Sequence, residues 1–216
     1  MKNIIFIAPP AAGKGTMSEV LEKKYGYKHI STGDILREMA RKDDEFGKNL
    51  SEMIKSGNLV PDEIVYEALK RRLSMNDLDN GFILDGFPRN ILQAREYDKI
   101  LKDIHKDLGV VIYLDTEREI LEKRITGRRI CQKCGATYNV LTGVNMPKTL
   151  NTCDKCGSEL YQRNDDNKES FNTRYETFLE KTYPLVDYYE KEKVLYRIQS
   201  VDIDSTIKEI EAIIND

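Results

Sequence analysis

A lysine and a threonine near the start of this sequence follow a loop of small residues. Residues 8–16 read APPAAGKGT, so Lys14 and Thr16 come directly after a run of alanine, proline and glycine. The ammonium group of Lys14 can neutralise a phosphate, and the hydroxyl group of Thr16 can bind Mg²⁺. Two positions depart from the general phosphate-loop motif, since Ala8 replaces its first glycine and the hydroxyl comes one residue late. A turn of small residues in an ordinary α/β protein is the alternative.

A carboxylate follows an apolar stretch in the middle of the chain. Asp85 ends this stretch, and a Gly-Phe-Pro turn separates it from Arg89. In an open parallel sheet, ligands bind beyond the carboxyl ends of the strands, so we expect Asp85 to lie near Thr16 and to hold Mg²⁺ through water. Gln93, four residues further on, offers an amide that both donates and accepts. Taken alone, Asp85 fits the cap of a strand end equally well.

Three arginines lie where a second anion could bind. Arg37 lies one turn into a helical stretch, and Arg124 and Arg128 are four residues apart on one face of another. Two arginines that point the same way repel each other unless an anion lies between them. Solvent-exposed arginines at helix ends are the alternative for all three.

Four cysteines form two pairs with the pattern C-x₂-C-x₁₈-C-x₂-C, and a glycine follows each pair. The residues are Cys131, Cys134, Cys153 and Cys156. This spacing is typical of zinc sites. Four thiolates complete a tetrahedral coordination sphere without an open position, so Zn²⁺ would be structural here. The segment between the pairs is polar and rich in turns, so the metal would supply its folding energy. A redox pair and an iron–sulfur cluster are the alternatives.

Short strands and helices alternate along the chain and would position these side chains. Buried strands are predicted at 4–7, 28–30, 82–84, 109–114 and 194–198. Helices are predicted at 17–24, 35–41, 48–55 and 117–126, from about 59, from about 168 with an interruption at Pro184, and at 203–214. This alternation indicates an α/β protein.

Length and composition limit the class of protein. The chain has 216 residues, of which 40% are hydrophobic and 33% are charged, and its formal net charge is −3. This balance argues against a general nucleic-acid or membrane surface. No apolar run approaches membrane-spanning length, and Ile4–Ile7 is too short for the core of a signal peptide. We therefore expect a cytoplasmic protein without nucleic-acid or membrane partners, in which the cysteines are not disulfide-bonded.

Together these motifs resemble those of the adenylate kinase family, in its long, zinc-containing bacterial type. The resemblance covers the chain from end to end. It rests on six stretches in the family's order: PAAGKGT (10–16), STGD (31–34), LVPDE (59–63), DGFPR (85–89), GRR (127–129) and RNDD (163–166). It implies a phosphate-loop NTPase fold, with a parallel five-stranded sheet flanked by helices and two mobile inserts. The implied core is 1–30, 62–126 and 166–216, the nucleoside monophosphate insert is 31–61, and the zinc-binding lid is 127–165.

The resemblance also implies a reaction, the reversible transfer of the terminal phosphoryl group of MgATP to AMP, which gives two ADP. ATP, AMP and ADP would be the partners of a monomeric enzyme, with Mg²⁺ accompanying ATP and a structural Zn²⁺ in the lid. The implied catalytic residues are Lys14, Asp85, Arg89, Arg124, Arg128, Arg163 and Arg174. The implied ATP-binding residues are Ala11, Ala12, Gly13, Lys14, Gly15, Thr16, Arg128, Tyr138 and Gln199. The implied AMP-binding residues are Thr32, Arg37, Leu59, Val60, Gly86, Arg89, Gln93, Arg163 and Arg174. Asp165 and Asp166 would hold the lid arginines.

Two departures from the family concern the ATP side. Ala11 stands where the family usually has glycine, and Gln199 lies in an Ile-Gln-Ser stretch where the family tends to have Ile-Asp-Gly. Some residues of a phosphate loop take positive φ, which costs an alanine on the order of 1 kcal/mol. The loop would therefore either bear this strain at Ala11 or relax.

Three alternative functions stay open at this point. A kinase for UMP, CMP or GMP shares most of these motifs, although the amide of Gln93 can match the Watson–Crick edge of adenine. A zinc-ribbon nucleic-acid-binding protein would use ATP only as a switch, and the acidic balance of the chain counts against it. A nucleotide-binding protein with weak catalysis is suggested only by Ala11.

Overall fold

The computed structural model describes residues 2–42, 44–55, 60–200 and 202–215. The chain forms two compact units. The first contains Met1–Ile7, Gly13–Leu114 and Lys181–Asp216, and the second contains Ala8–Ala12 and Asp115–Glu180. The second unit holds the segment predicted as a lid, 127–165, together with the stretches on either side of it. The predicted division into a core and two mobile inserts therefore stays a prediction.

Helices and strands alternate as the sequence indicates. The elements up to the end of the fourth strand are β1 (Ile4–Ile7), α1 (Lys14–Tyr25), β2 (Lys28–Ser31), α2 (Thr32–Met39), α3 (Glu45–Lys55), α4 (Asp62–Leu73), β3 (Phe82–Asp85), α5 (Ile91–Asp103) and β4 (Val110–Asp115). Next come α6 (Arg118–Thr126), β5 (Arg128–Cys131), β6 (Thr137–Asn139), β7 (Leu160–Tyr161), α7 (Lys168–Thr177) and a π-helical turn (Phe178–Thr182). The chain continues with α8 (Pro184–Lys191), β8 (Leu195–Gln199) and α9 (Ile203–Asn215).

A five-stranded parallel sheet forms the centre of the first unit, in the order β2-β3-β1-β4-β8. In the central strand β1, Ile4 pairs both with Ile83 of β3 and with Val110 of β4. All four residues of β1 are buried, which explains why its sequence is a continuous apolar run rather than an alternating one. The predicted fold class, a phosphate-loop NTPase-type α/β fold with five parallel strands, is confirmed.

The carboxyl ends of the strands place polar residues at one edge of this sheet. Ser31, the last residue of β2, pairs with Asp85, the last residue of β3. β1 ends at Ile7, directly before the loop of small residues. Ser31 also caps α2, because its side chain accepts a hydrogen bond from the backbone N–H of Asp34 over 3.3 Å. This cap starts α2 three residues before its predicted beginning.

Asn3 connects three strands at the opposite edge. Its carbonyl oxygen accepts a 2.8 Å hydrogen bond from the N–H of Val110, and its side-chain oxygen accepts one of 3.3 Å from the N–H of Phe82. Its side-chain amide donates to the carbonyl oxygen of Asp107 over 2.7 Å. Gly109 passes close to this residue with a φ of 79°, and a Cβ atom there would lie 2.1 Å from the carbonyl oxygen of Asn3.

The second unit contains a small antiparallel sheet, in the order β6-β5-β7. Its buried cluster consists of Cys131, Ala136, Tyr138, Cys153 and Leu160. Two of these five buried side chains are cysteines, so the apolar core of the sheet is minimal. These three strands were not predicted from the sequence, because they are short and their residues are largely polar.

The predicted strands are all present, each within one residue of its predicted ends. The helix α5 was missed, although Asn90 caps it by accepting a 2.9 Å hydrogen bond from the N–H of Gln93. Its buried residues Ala94, Tyr97 and Leu101 have the spacing of a helix face, a pattern that could have revealed it. The interruption at Pro184 is confirmed, since α8 begins at this proline, whose missing N–H suits a first turn.

Part of the predicted monophosphate insert falls outside the described residues. Residues 56–58, which follow the predicted helix at 48–55, and the site residue Leu59 lie outside the described residues. The following helix, α4, begins at Asp62 after Pro61.

None of the helices in the described ranges combines the length and the apolar character that crossing a membrane requires.

We expect Gly109→Ala to lower the free energy of unfolding by roughly 2–5 kcal/mol, because it adds a close contact with the carbonyl of Asn3 to a left-handed backbone. Gly143→Ala is the matched control. Gly143 has a similar φ of 70°, but a Cβ atom there would meet nothing within 4 Å. The control should therefore lose only about 1 kcal/mol. Urea unfolding of both variants measures the difference, and equal losses would contradict the role given to Asn3.

Candidate active site

The loop between β1 and α1 curls through two left-handed residues. Ala11 has a φ of 66° and Gly13, the N-cap of α1, has a φ of 99°. The N–H of Ala12 donates to the carbonyl oxygen of Pro9 over 3.3 Å and closes the curl. The loop therefore keeps the positive φ at Ala11 and bears the strain, which decides between the two outcomes left open by the sequence. Gly15 has open space around its Cβ position, so a ligand can come close to the backbone there.

Lys14 and Asp85 form an ion pair at the carboxyl edge of the sheet. The Nζ atom of Lys14 lies 2.8 Å from Oδ1 of Asp85, and both side chains are about three-quarters buried. Nε2 of His29 lies 3.5 Å from the other carboxylate oxygen. Burial alone raises the pKa of Asp85, but His29 and Lys14 outweigh it and hold this pKa well below its usual range. Asp85 is therefore an ionised, cation-binding carboxylate next to the phosphate loop.

His29 is a site residue that the sequence analysis missed, since it assigned no role to either histidine. The carboxylate of Asp85, 3.5 Å away, raises the pKa of His29, and burial opposes this rise only in part. His29 lies in β2, and its register partner is Ile83 in β3. His29 and Asp85 each lie on one of two paired strands, and this pairing brings the imidazole to the carboxylate; no local sequence pattern indicated it.

The predicted AMP-site residues in the loop after β3 and on α2 and α5 lie close together. Thr32 donates a hydrogen bond to the carbonyl oxygen of Gly86 over 3.3 Å, and Nε of Arg89 donates to the same oxygen over 2.9 Å. Gly86 has a φ of 80°, and a Cβ atom there would lie 3.1 Å from Oγ1 of Thr32. The backbone N–H of Arg89 donates to the side-chain oxygen of Gln93 over 2.8 Å. The structure thus brings four of the predicted AMP-binding residues into one cluster.

The remaining AMP-side residues are less constrained by contacts. Arg37 is exposed and pairs with the carboxylate of Asp34, one turn before it on α2. Val60 is half-buried and directly precedes Pro61, after which α4 begins. Arg163 is exposed in the second unit, where its carbonyl oxygen accepts a hydrogen bond from the N–H of Asp166 over 3.1 Å.

In the second unit, acidic residues hold two of the predicted lid arginines. Nε of Arg128 donates to Oδ2 of Asp166 over 2.9 Å, and its Nη2 pairs with Oδ1, so the contact is bidentate. The carboxylate of Asp166 is fully buried. Nη1 of Arg174 lies 3.2 Å from Oδ2 of Asp165. These ion pairs agree with the partners that the family resemblance implies.

Arg124 lies beside the loop of small residues. Its Nη1 donates to the carbonyl oxygen of Ala12 over 3.5 Å. Burial lowers the pKa of this guanidinium, which nevertheless stays charged. A half-buried cation is thus attached to the phosphate loop from the C-terminal half of α6.

Of two further predicted ATP-binding residues, Gln199 is exposed and Tyr138 is buried. Gln199 is exposed at the end of β8. Tyr138 is only 5% exposed, and its hydroxyl oxygen accepts a 2.8 Å hydrogen bond from the N–H of Asp154. The same hydroxyl lies 3.5 Å from Sγ of Cys153, within hydrogen-bonding distance of the sulfur. The side chain of Tyr138 therefore belongs to the cysteine cluster, and its backbone is the part left to meet a nucleotide.

The four cysteines form a cluster that fits a zinc ion. Their Sγ atoms all lie within 4.8 Å of one another, and three of the separations are 3.4, 3.5 and 3.6 Å. A tetrahedral site with Zn–S bonds of about 2.3 Å requires sulfur separations of about 3.8 Å. All four cysteines are free of disulfide bonds. Among the described residues, these four cysteines are the group of side chains close enough together to hold a metal ion.

The two cysteine pairs lie on equivalent turns. The N–H of Gly135 donates to the carbonyl oxygen of Cys131 over 3.1 Å, and that of Gly157 donates to the carbonyl oxygen of Cys153 over 2.8 Å. Both glycines have positive φ, 72° and 70°. The glycine after each pair therefore allows the tight turn that directs two thiolates to one point.

Fold and site together define a class of protein. A parallel sheet carries a phosphate-binding loop after its central strand, a lysine at the start of the next helix and an ionised carboxylate at the end of a neighbouring strand. These are the features of the phosphate-loop NTPases, proteins that bind the phosphates of a nucleotide at this edge.

Comparison with known proteins identifies the family within this class. The model of the adenylate kinase family matches residues 6–194. An adenylate kinase of Archaeoglobus fulgidus is 47% identical over 213 residues, which cover 98% of this chain and 97% of the relative. Adenylate kinases of Thermosipho africanus and Thermotoga petrophila are 46% and 44% identical, over 96% and 97% of this chain and 97% and 96% of their own lengths. The chain therefore belongs to the adenylate kinase family.

We expect Ala11→Gly to tighten MgATP binding by up to roughly tenfold, a change that corresponds to about 1.4 kcal/mol. Glycine removes the Cβ atom from a left-handed residue and brings the backbone closer to the phosphates. AMP affinity should not change. Ala12→Gly is the control, because Ala12 is outside the left-handed region and has no strain to relieve. Calorimetric titration measures both variants, and a several-fold weaker MgATP affinity of Ala11→Gly would show that the alanine is adapted to this site.

Proposed function

We propose that this chain is an adenylate kinase, which transfers the terminal phosphoryl group of MgATP to AMP and forms two ADP in a reversible reaction. The observation that carries this proposal is the Lys14–Asp85 ion pair at the carboxyl edge of the sheet, in a chain that belongs to this family. The pair presents a cation for phosphate and a carboxylate for Mg²⁺ at one point. The cluster around Gln93 supports a second nucleotide site beside it.

On the ATP side, the loop and the first turn of α1 would bind the phosphates. The N–H groups of Gly13, Lys14 and Gly15 begin a helix whose positive dipole end favours an anion. Lys14 would exchange Asp85 for the phosphates. Asp85 and the hydroxyl of Thr16 suit Mg²⁺, because both are oxygen ligands and a cation already contacts Asp85. When bound with ATP, Mg²⁺ neutralises charge on the phosphates.

Further ATP contacts are carried over from the family. Ala11 and Ala12 would contribute backbone groups to the phosphate loop. Arg128, the backbone of Tyr138 and Gln199 would contact the rest of ATP.

On the AMP side, Arg37 and Arg89 would hold the phosphate. Thr32, Gly86 and Gln93 would surround the base, together with Leu59 and Val60. The hydrogen bonds that join Thr32, Gly86, Arg89 and Gln93 support this assignment, because they fix the base-side and phosphate-side groups relative to one another.

The remaining arginines would act on the transferring phosphoryl group. Its transition state spreads negative charge over three equatorial oxygens, so catalysis requires positioning and cations rather than a general base. The acceptor is itself an anionic phosphate, which needs no deprotonation. We assign this role to Arg89, Arg124, Arg128, Arg163 and Arg174. Binding is expected to bring the inserts 31–61 and 127–165 over the substrates and to exclude water.

We further propose one structural Zn²⁺ at the four cysteines. The sulfur separations support zinc, and the donor set of four thiolates leaves no position for a substrate. The minimal core of the small sheet supports a stabilising role. We infer a cytoplasmic, monomeric enzyme without nucleic-acid or membrane partners, because four free cysteines suit a reducing compartment and the net charge is −3.

We expect the enzyme to use AMP in preference to UMP, CMP and GMP. A coupled assay with MgATP and each monophosphate provides the measurement. Faster turnover of UMP or CMP than of AMP would overturn the substrate assignment.

We expect Arg89→Ala to lower kcat by about 10²–10³-fold, the usual effect of removing a positioned cation from a transition state. Arg95→Ala, at an exposed arginine, is the matched control and should keep normal turnover. The same coupled assay measures both variants, and near-normal turnover of Arg89→Ala would remove Arg89 from the mechanism.

We expect one Zn²⁺ per chain in freshly purified protein. Cys153→Ser should lower the thermal stability of the second unit but not abolish catalysis, since no cysteine contacts substrate in this mechanism. Elemental analysis and calorimetric unfolding of the variant, beside wild-type protein treated with a chelator, test this expectation. Protein without zinc, or an ordered disulfide among these cysteines, would contradict it.

A further inference from the structure

The side-chain amide of Gln93 is held by two partners of opposite hydrogen-bonding character. Its Nε2 donates to Oδ1 of Asp62 over 2.9 Å, and its Oε1 accepts from the backbone N–H of Arg89 over 2.8 Å. Asp62 is the first residue of α4, and Gln93 lies in the first turn of α5. Gln93 is only 9% exposed, so water cannot readily replace either partner.

These partners determine which way the amide points. A carboxylate only accepts hydrogen bonds and a backbone N–H only donates, so the NH₂ group must face Asp62 and the oxygen must face Arg89. The other carboxylate oxygen of Asp62 accepts a 3.3 Å hydrogen bond from the hydroxyl of Tyr66, which helps to hold the carboxylate in place. A flipped amide would direct its oxygen at the carboxylate and its NH₂ group at an N–H, and would lose both bonds.

The held amide keeps one N–H and one oxygen lone pair for a ligand. Adenine offers a matching pair on its Watson–Crick edge, because its ring nitrogen N1 accepts and its amino group N6 donates. A 6-oxopurine has the reverse pattern, since its N1–H donates and its O6 accepts. In the same position, a 6-oxopurine would therefore place donor against donor and acceptor against acceptor, unless the amide flips.

We propose that Asp62 is a positioning residue that makes the monophosphate site select adenine over 6-oxopurines, by fixing the orientation of the Gln93 amide. This inference rests on the proposed function, in which Gln93 meets the base of AMP. The fixed orientation explains why the Gln93 amide, which could form hydrogen bonds with either kind of purine by flipping, would bind only adenine. The selection comes from a residue that need not contact the nucleotide itself.

The test compares AMP with IMP, a 6-oxopurine monophosphate, as acceptors from MgATP. Asp62→Asn replaces a carboxylate, which only accepts, with an amide that both donates and accepts. The new amide can form a hydrogen bond with either the NH₂ group or the oxygen of Gln93, so it no longer fixes the Gln93 orientation. The ratio of kcat/KM for AMP to that for IMP should fall at least tenfold in this variant, whereas Glu63→Gln, which neutralises the exposed neighbouring carboxylate, should keep the wild-type ratio. Asp62→Ala, which offers no hydrogen-bonding group, should lower the ratio as well and serves if Asp62→Asn fails to fold.

The possible outcomes distinguish failure of this inference from failure of the proposed adenylate kinase function. A ratio that stays constant in both Asp62 variants, or equal losses for AMP and IMP, would show a merely structural role and overturn the inference while adenylate kinase activity stands. A wild-type enzyme that uses neither acceptor, or prefers IMP, would overturn the proposed function and the inference with it. Thermal unfolding of each variant identifies those that fold.

Discussion

The rest of the site depends on the ion pair between Lys14 and Asp85, which joins the first residue of α1 to the last residue of β3. Partial burial removes hydration from both charges, so neither is stable there without a partner. A phosphate that binds Lys14 must therefore leave Asp85 with another cation. MgATP brings an anion and a cation together, so both charges stay compensated when the pair separates. Nucleotide without metal would leave the carboxylate with His29 alone.

In the second unit, too, buried or closely spaced charges are compensated by partners, here arginines by aspartates. This unit also has a small sheet with a minimal apolar core. In the proposed mechanism, the arginines around the transferring phosphoryl group would repel one another until the anion arrives. Asp165 and Asp166 would reduce this repulsion, and the bidentate contact also orients Arg128. The small sheet that carries Arg128 and Arg129 has few apolar side chains of its own. In the proposal made above, a metal held by the four thiolates would replace the missing hydrophobic core and would couple folding of the small sheet to metal binding.

Features encoded by neighbouring residues could be predicted from the sequence. The strands, the phosphate loop, the interruption at Pro184 and the cysteine pairs all depend on patterns of a few residues. The contacts between distant segments could not, because each depends on which elements pack side by side. His29 reaches Asp85 through the β2–β3 register, and Gln93 reaches Asp62 because α4 and α5 are neighbours. The hydroxyl of Tyr138 meets Cys153 only after the small sheet has formed.

The position of β1 at the centre of the sheet has a consequence for how the chain folds during synthesis. Its partners lie about 80 and 105 residues further along, since Ile4 pairs with Ile83 and Val110. At a translation rate of roughly 5–20 residues per second, the first strand waits several seconds before both of its edges are paired. During this time β1 is an apolar strand with two open edges, a feature that favours pairing with another chain. Both edges are covered only when β3 and β4 have joined it, since β2 pairs with β3 and not with β1.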